Sequence, residues 1–556
     1  MKRKIWKIKE LTPYAATLGQ KYQISAYLAQ ILLNRNIPEE DFHSFLNHDI
    51  NSIHSCLLLP DIEKAVCRIK KAINDKEKIL VVGDYDVDGI MSLAIFNEFI
   101  KTSPALFSFY IPHRIKEGYG LNIEVIKQAK REKRTLIIAF DCGTNSKEEI
   151  ELAHSYGIDM IIVDHHHPKD GRNNPFAFIN PKRKDSKYPF TELSGAALSF
   201  KLLEALIGKD AFSMLDLVAL SLVCDVVPLK GENRTLLKEG LNLLKTNNRP
   251  AVSALCKVAK IRKENITAFH IGYILGPRIN ASGRIASASE SLRMFLSDDE
   301  KEIFSIASKL QEYNQLRKDI ELDILREAEQ KIENNLSQNY AIVVDGEGWH
   351  SGVLGIVASR LADKYYRPSF VISFEDGLGK GSARSIHSVH LMEALEKCSK
   401  SLSTYGGHRK AAGIEIFKEG LDEFRKNINN YIKENVEAKD LIPILDIDLK
   451  LDFNDINVNF VESLESLEPF GEENPKAMFA SSSVSKKSSP KKINSGYSVW
   501  LTDGKKTLEA AVYDSGLLDI LEYADKFDVA YNLQKNTYHN EPVLAIRDIA
   551  MSSDKI

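Results

Sequence analysis

Four short stretches hold the residue types able to do chemistry. In VVGDYDVDG, residues 81–89, Asp84, Asp86 and Asp88 alternate, so in extended backbone their carboxylates project to one side. Two carboxylates about 4 Å apart repel by roughly 4 kcal/mol at an effective dielectric near 20. Three together therefore require raised pKa values or bound cations. Asp141 in IIAFDCG and Asp164-His165-His166 in IIVDHHH add oxygen and nitrogen donors, and Asp225 stands in the apolar segment SLVCDVVPL, where an unpaired charge is costly. Oxygen-rich donors with one or two imidazoles suit Mn²⁺ or Mg²⁺ better than a thiolate-seeking metal, and there are enough for two ions sharing a carboxylate. Each stretch alone has a plainer reading: a calcium loop or acidic turn for DxDxDG, satisfied polar residues for the histidines, a helix cap for Asp225. Their occurrence together in one domain is what those readings explain poorly. Cys142 and Cys224, beside two of the acids, read as small core residues.

Three of the clusters follow short β-branched runs. From about residue 60, runs at 79–82, 106–111, 136–140, 160–163 and 176–179 alternate with helical patterns. Runs buried on both faces and separated by helices predict a doubly wound parallel sheet of α/β type. The functional crevice of such a sheet lies beyond the carboxyl ends of its strands, so the clusters should converge there. Residues 298–337, without Pro or Gly, predict a long connecting helix. A second α/β pattern runs through YAIVVDG at 340, SFVISF at 369 and AAGIEIF at 411. From about 440 short strands predict a small β-barrel or sandwich, with SSSVSKKSSPKK at 481–492 as a mobile loop. The resulting division is an N-terminal region at 1–50, a catalytic domain at 51–297, the connecting helix at 298–337, a second α/β domain at 338–438 and the C-terminal module at 439–556.

Composition sets outer limits. A chain of 556 residues, 44% hydrophobic and 27% charged, is that of an ordinary globular protein with several cores. Its net charge of −3 argues against a polybasic nucleic-acid binder as judged by bulk charge. Six cysteines without a Cys-x-x-Cys pair predict a reducing, cytoplasmic compartment. The basic N-terminus is followed by no apolar run, and no stretch approaches the roughly 20 apolar residues that span a bilayer, so no membrane association is expected.

The order GDYDVDG, DCG, DHH and DVVPL resembles the DHH phosphoesterase superfamily, and YGGHRKAAG at 405–413 is similar to the glycine-rich signature of its DHHA1 domain. EGYGLN at 117–122, GPRINASGR at 276–284, GWHSGVLGIVASRL at 348–361, GSARS at 381–385 and LEPFGEENP at 467–475 resemble, more narrowly, the RecJ family of bacterial single-stranded-DNA exonucleases. Glu473 stands where a glycine is common in that family, and Ser282 and Ala383 are conservative departures. The resemblance implies that Asp86 and Asp141, helped by Asp84, hold one Mn²⁺ or Mg²⁺. Asp88, Asp141, His165 and Asp225 would hold the second, and His166 would face the scissile phosphate. It further implies hydrolysis of single-stranded DNA from the 5′ end to 5′-mononucleotides, in recombination and repair, with Asp141, His165 and His166 as catalytic residues.

Arg278, Asn280 and Arg284 fall in what reads as a Gly/Pro-punctuated loop, where guanidinium forks can hold phosphates. Ser382 and Arg384 in GSARS, and Gly406, Gly407 and His408, offer a second anion cradle. In the family these regions, with Arg114, grip the 5′-terminal phosphate. For Trp349 and His350, packing and substrate contact stand equally open. The resemblance makes the last module an OB-fold. Between Lys476 and Lys506 it carries seven lysines and one acid, with Tyr497 and Trp500 interleaved, which suits a path for single-stranded DNA. A RecQ-type helicase and a single-stranded-DNA-binding protein are the protein partners the family implies. The competing reading is a DHH nanoRNase or nucleotide phosphatase; those relatives lack the residues after about 440. A non-catalytic scaffold on the same fold would have lost metal ligands, and none of the expected positions is missing.

Overall fold

The computed structural model describes residues 4–114, 116–118, 120–169, 174–333, 339–536 and 539–551. Tyr119 of the EGYGLN motif and residues 334–337 of the expected connecting helix lie outside them. The chain forms two units, one of residues 50–227 and 235–441, the other of residues 1–49, 228–234 and 442–556.

In the first unit the expected runs become strands β1 (Lys78–Gly83), β2 (Leu106–Tyr110), β3 (Leu136–Phe140), β4 (Asp159–Val163) and β5 (Ala177–Ile179). All pair in parallel, in the order β2-β1-β3-β4-β5. Every residue of β3 is buried, as expected of a central strand covered on both faces. Three helices position the site: α1 (Val87–Ile100), α2 (Gly195–Ile207) and α3 (Leu215–Cys224). All three are apolar around most of their circumference because they pack inside the domain rather than over it.

GPRINASGR is not a loop. After one π-turn at Ile271–Leu275 it forms helix α4 (Gly276–Ile285). Pro277 comes directly after that π-turn, in a helical run unbroken from Ala268 to Ile285, so the wider turn lies where the missing N–H interrupts the ladder. Gly283 lets the helix approach the chain at Tyr85, whose carbonyl oxygen would lie 3.1 Å from a Cβ there. The connecting helix is real and runs as α5 (Glu300–Glu333), roughly 50 Å at 1.5 Å per residue.

The second α/β region comprises β6 (Ile342–Glu347), α6 (Leu354–Tyr365), β7 (Ser369–Glu375), β8 (Leu378–Arg384), β9 (Thr404–Gly407) and β10 (Ala411–Phe417). Its order is β9-β10-β8-β7-β6, and only β6 and β7 are parallel. Asp376 and Gly377, both at positive φ, make the tight turn between β7 and β8.

The other unit is the expected barrel. Strands Phe479–Lys486, Phe527–Lys535, Pro542–Met551, Thr507–Val512 and Gly496–Thr502 pair in that order, and the last returns to the first through Ser485 and Lys486. The Ser/Lys stretch, expected as a loop, is largely strand, over Phe479–Lys486 and Lys491–Ile493. Ser481 is buried and bonded, its Oγ donating to Leu451 O and meeting Tyr531 Oη at 2.7 Å. The N-terminal helices Pro13–Tyr22 and Ala26–Asn34 share one apolar core with the barrel. Among the described residues no helix is long and apolar enough to cross a membrane.

Candidate metal centre and its arginine cluster

Strands β1 and β3 are neighbours where the sheet's connection order reverses, and the chain leaves both into acids. Ligands of doubly wound sheets bind at this switch point. After β1, Asp86 becomes the N-cap of α1, its Oδ1 accepting from the amides of Asp88 (2.9 Å) and Gly89 (3.3 Å). Gly89 is required because a Cβ there would strike the Asp84 backbone. After β3, Asp141 takes up left-handed φ (+57°) and donates its amide to Val163 O. Asp88 is held by α2 and α3: Oδ2 accepts from Gly195 N (2.6 Å), and Oδ1 from Ala196 N (2.8 Å) on α2 and from Ser221 Oγ on α3. Asp225 sits just past the end of α3, where the next residue, Val226, has φ +58°.

These acids meet the histidines at one point. His165 Nε2 lies 3.2 Å from Asp141 Oδ1, 3.6 Å from Asp225 Oδ2 and 3.8 Å from Asp88 Oδ2. Two sets, Asp84/Asp86/Asp141 and Asp88/His165/Asp225, each have ligand atoms within 4.8 Å of one another. Asp84 Oδ1 and His165 Nε2 are buried without a hydrogen-bond partner. Burial raises the Asp84, Asp86, Asp141 and Asp225 carboxyls above their usual range, and the neighbouring acids add to it. Burial likewise lowers His165. Carboxylates that repel one another around an unpaired imidazole nitrogen form a donor set that divalent cations fit.

Asp164, not singled out from sequence as a ligand, has both oxygens engaged. Oδ1 accepts from the amides of His165 (2.7 Å) and His166 (3.2 Å) and bonds His166 Nδ1 (2.7 Å), while Oδ2 accepts from Thr144 N (2.9 Å). Burial opposes its charge, but His166 and these donors hold its pKa well below the usual carboxylate range. His166 in turn is raised by Asp164 against the effect of burial. Its ring is therefore fixed at Nδ1, leaving Nε2 on the opposite edge. Only the tight Asp-His-His run could have signalled this role; Thr144, Ser194, Ser221 and Asn180, which support the acids, carry no signal of their own.

Beside Asp84 and Asp86 lies a group of cations. The Arg114 guanidinium stands 4.7 Å from the centroid of the Tyr85 ring. Arg284 is pulled down to about 9 by burial and by Arg114, Arg317 and Arg384, and Arg384 is lowered by burial and Arg114. Arg284 donates to Gly352 O (3.2 Å) in the GWHSG turn. Ser382 Oγ and Arg384 Nη2 both lie 3.0 Å from where a Cβ on Gly355 would stand, so that glycine in the first turn of α6 leaves room beside them. Gly406, Gly413 and Ser382 fall in one row across β9, β10 and β8. Gly407 ends β9 and His408 follows, both exposed. Asn280 is half-buried on α4, one turn before Arg284. Arg278 is turned inward, donating to Gln311 Oε1 (2.8 Å) and Ile274 O (2.6 Å). Trp349 is a packing residue, buried in the core of the second α/β region with Nε1 on Glu327. His350 Nδ1 accepts from Gly352 N, ordering the turn that Arg284 meets.

Three family models match the chain: the DHH family, N-terminal domain, over residues 78–222, the DHHA1 domain over 337–434 and the RecJ OB domain over 447–548. A single-stranded-DNA-specific exonuclease RecJ from Bacillus subtilis is 35% identical over 83% of this chain, which spans 59% of that relative's length. The RecJ of Dickeya dadantii is 32% identical over 78% of this chain and 80% of its own. The crystal structure of RecJ with Mn²⁺ from Thermus thermophilus superposes with a TM-score of 0.83 at 24% identity, covering 98% of this chain and 79% of that one. The three domain types in this order, together with that identity across four-fifths of the Dickeya dadantii protein, place the chain in the RecJ family of DHH phosphoesterases.

Proposed function

We propose that the chain is a single-stranded-DNA-specific exonuclease that cleaves from the 5′ end to 5′-mononucleotides with two Mn²⁺ or Mg²⁺ ions. The observation that carries the reading is the pairing of two acid-rich ligand sets with a cluster of arginines, Arg114, Arg284 and Arg384, beside them. Asp84, Asp86 and Asp141 are the ligands proposed for one ion, and Asp88, Asp141, His165 and Asp225 those for the other, with Asp141 common to both. When bound, the ions would activate water and neutralise charge on the phosphate. The protein's own residues supply the rest. Asp164 holds His166 by Nδ1 and favours its protonated form, in which Nε2–H can donate to a phosphate oxygen. Arg114, Arg284, Arg384 and Ser382, with Gly406, Gly407 and His408 on the adjoining strand, are proposed to take a terminal 5′-phosphate. A 5′ anchor beside the centre fixes which bond is reached.

Residues 51–297 are proposed as the catalytic domain, 338–438 as the substrate-binding domain and 439–556 as the path for the strand. The reading includes a cytoplasmic place in recombination and repair, and the RecQ-type helicase and single-stranded-DNA-binding protein implied by the family. It predicts that the protein with Mn²⁺ shortens a 5′-phosphorylated single strand, that a 5′ block stops digestion and that a 3′ block does not. Degradation from the 3′ end, or of di- to pentanucleotides alone, would favour the nanoRNase reading and overturn this one.

A further inference from the structure

The segment joining β5 to α2, residues 180–194, starts and ends at the acid centre. At its start Asn180 is fully buried and donates Nδ2 to His166 O (2.9 Å) and Thr144 Oγ1 (3.1 Å), while its Oδ1 accepts from Lys182 N (2.8 Å). At its end Ser194 caps α2, whose first amide reaches Asp88. Lys182 is thus rooted beside His166 by a hydrogen-bonded, buried asparagine. Its side chain is only 11% exposed, with Nζ 3.3 Å from Glu192 Oε2 on the returning limb; Glu192 is 42% exposed.

Lys182 stands on the histidine side of the centre, its amide bonded to the asparagine that holds the His166 carbonyl. Arg114 stands on the other side, against the ring of Tyr85 between Asp84 and Asp86. The acid cluster therefore has a guanidinium on its Asp84/Asp86 side and a lysine rooted on its His165/His166 side. A strand whose 5′-phosphate occupies the arginines, with its first phosphodiester at the acids, would meet Lys182 next.

We propose that Lys182 binds the phosphate immediately 3′ to the scissile one, exchanging Glu192 for the nucleic-acid backbone. The inference rests on the 5′-end reading above and adds the contact on the far side of the cleaved bond. The exchange gives Lys182 a second anion in place of the first, and Glu192, 42% exposed, turns to water. The plainer role for the Lys182–Glu192 pair is a staple closing the segment, and the two roles predict different outcomes.

The test uses the full chain with Mn²⁺ and two substrates, a 5′-phosphorylated dinucleotide, which ends before the proposed contact, and a 5′-phosphorylated trinucleotide, which contains it. Lys182→Ala should raise KM for the trinucleotide at least tenfold more than for the dinucleotide, and Lys182→Arg should restore most of the difference. On a longer strand Lys182→Ala should reduce the log–log salt slope of KM by about 0.7, the value of one phosphate contact on single strands. Glu192→Gln should keep the wild-type KM. Lys182→Gln, which retains the stem, takes the place of Lys182→Ala should the latter melt early. Equal losses in the Lys182 and Glu192 variants would show a staple and overturn the proposal, as would a loss of the same size on both substrates. Wild-type protein inactive on every 5′-phosphorylated strand would sink the functional reading and this inference together; an active wild type with equal losses sinks only the Lys182 contact.

Discussion

Asp141 is the residue on which the centre turns. It belongs to the Asp84/Asp86/Asp141 set and its Oδ1 lies 3.2 Å from His165 Nε2 of the other, its backbone is held in the left-handed region, and its carboxyl is raised by burial and then by Asp88, Asp86, Asp225 and Asp84. In the absence of cations this carboxylate is a liability, because each pair of charges about 4 Å apart repels by roughly 4 kcal/mol at an effective dielectric of 20. Asp141→Asn should therefore raise the melting temperature of chelated protein, by about 2–4 °C for each kcal/mol relieved. The same variant should lose nuclease activity and most of the stabilisation that Mn²⁺ gives the wild type. Calorimetry with and without chelator measures both, and a lower chelated melting temperature in the variant would show that the cluster is not repulsive. Much of this site was legible from sequence because acids recur at alternating positions and at the ends of β-branched runs. Thr144, Asn180 and Ser221 were not, because a buried serine, threonine or asparagine in sequence looks like any exposed one. Lys182 was hidden for the same reason, its neighbours Pro181 and Arg183 marking only a turn.

Elements aim these residues, and α2 does so most directly. Its first two amides bond Asp88, and a Cβ on Gly195 would stand 2.7 Å from Asp141 Cβ and 3.0 Å from Asp88 Oδ2. Gly195→Ala should favour the helix by intrinsic propensity, where alanine exceeds glycine by about 1 kcal/mol. It should nevertheless push apart the two carboxylates that the helix gathers. Cation affinity should fall roughly 10–100-fold, the usual effect of disturbing a ligand's supporting contacts, with the far-ultraviolet spectrum unchanged. Wild-type Mn²⁺ binding by isothermal titration would refute the crowding argument. Besides the Ser/Lys strands, the element read wrongly from sequence is α4. Proline and glycine in GPRINASGR read as breakers, yet Pro277 is accommodated next to the π-turn, and Gly283 is the close approach to Tyr85. The inner strands of the sheet were readable because a run buried on both faces has few polar residues to blur it.

At the scale of the molecule, a net charge of −3 bears little on the partner, because the charges are segregated. Acids crowd the switch point, arginines gather at one side of it, and lysines line the strands of the barrel. Long-range assembly was the least legible level. Residues 1–50 read as an N-terminal region of their own, but Leu28, Ile31, Leu32, Phe42 and Phe45 are buried in one core with Phe479, Leu501, Leu544 and other barrel residues. Arg234 adds to this unit, its buried guanidinium donating to the carbonyls of Phe45, Ser466, Leu467 and Glu468. No local pattern announces a core whose halves are so far apart in the chain. Burying one large apolar side chain contributes about 1.5–3 kcal/mol, and a domain's whole stability is roughly 5–15 kcal/mol. Loss of those five side chains alone is thus comparable to everything the barrel has. Deletion of residues 1–49 should leave residues 442–551 unfolded and open to protease, while a single Phe42→Ala change should cost about 3–5 kcal/mol and leave a folded barrel. Limited proteolysis followed by mass spectrometry distinguishes the cases: a barrel fragment as resistant in the truncated chain as in the full one would mean that the N-terminal helices rest on a core they do not complete.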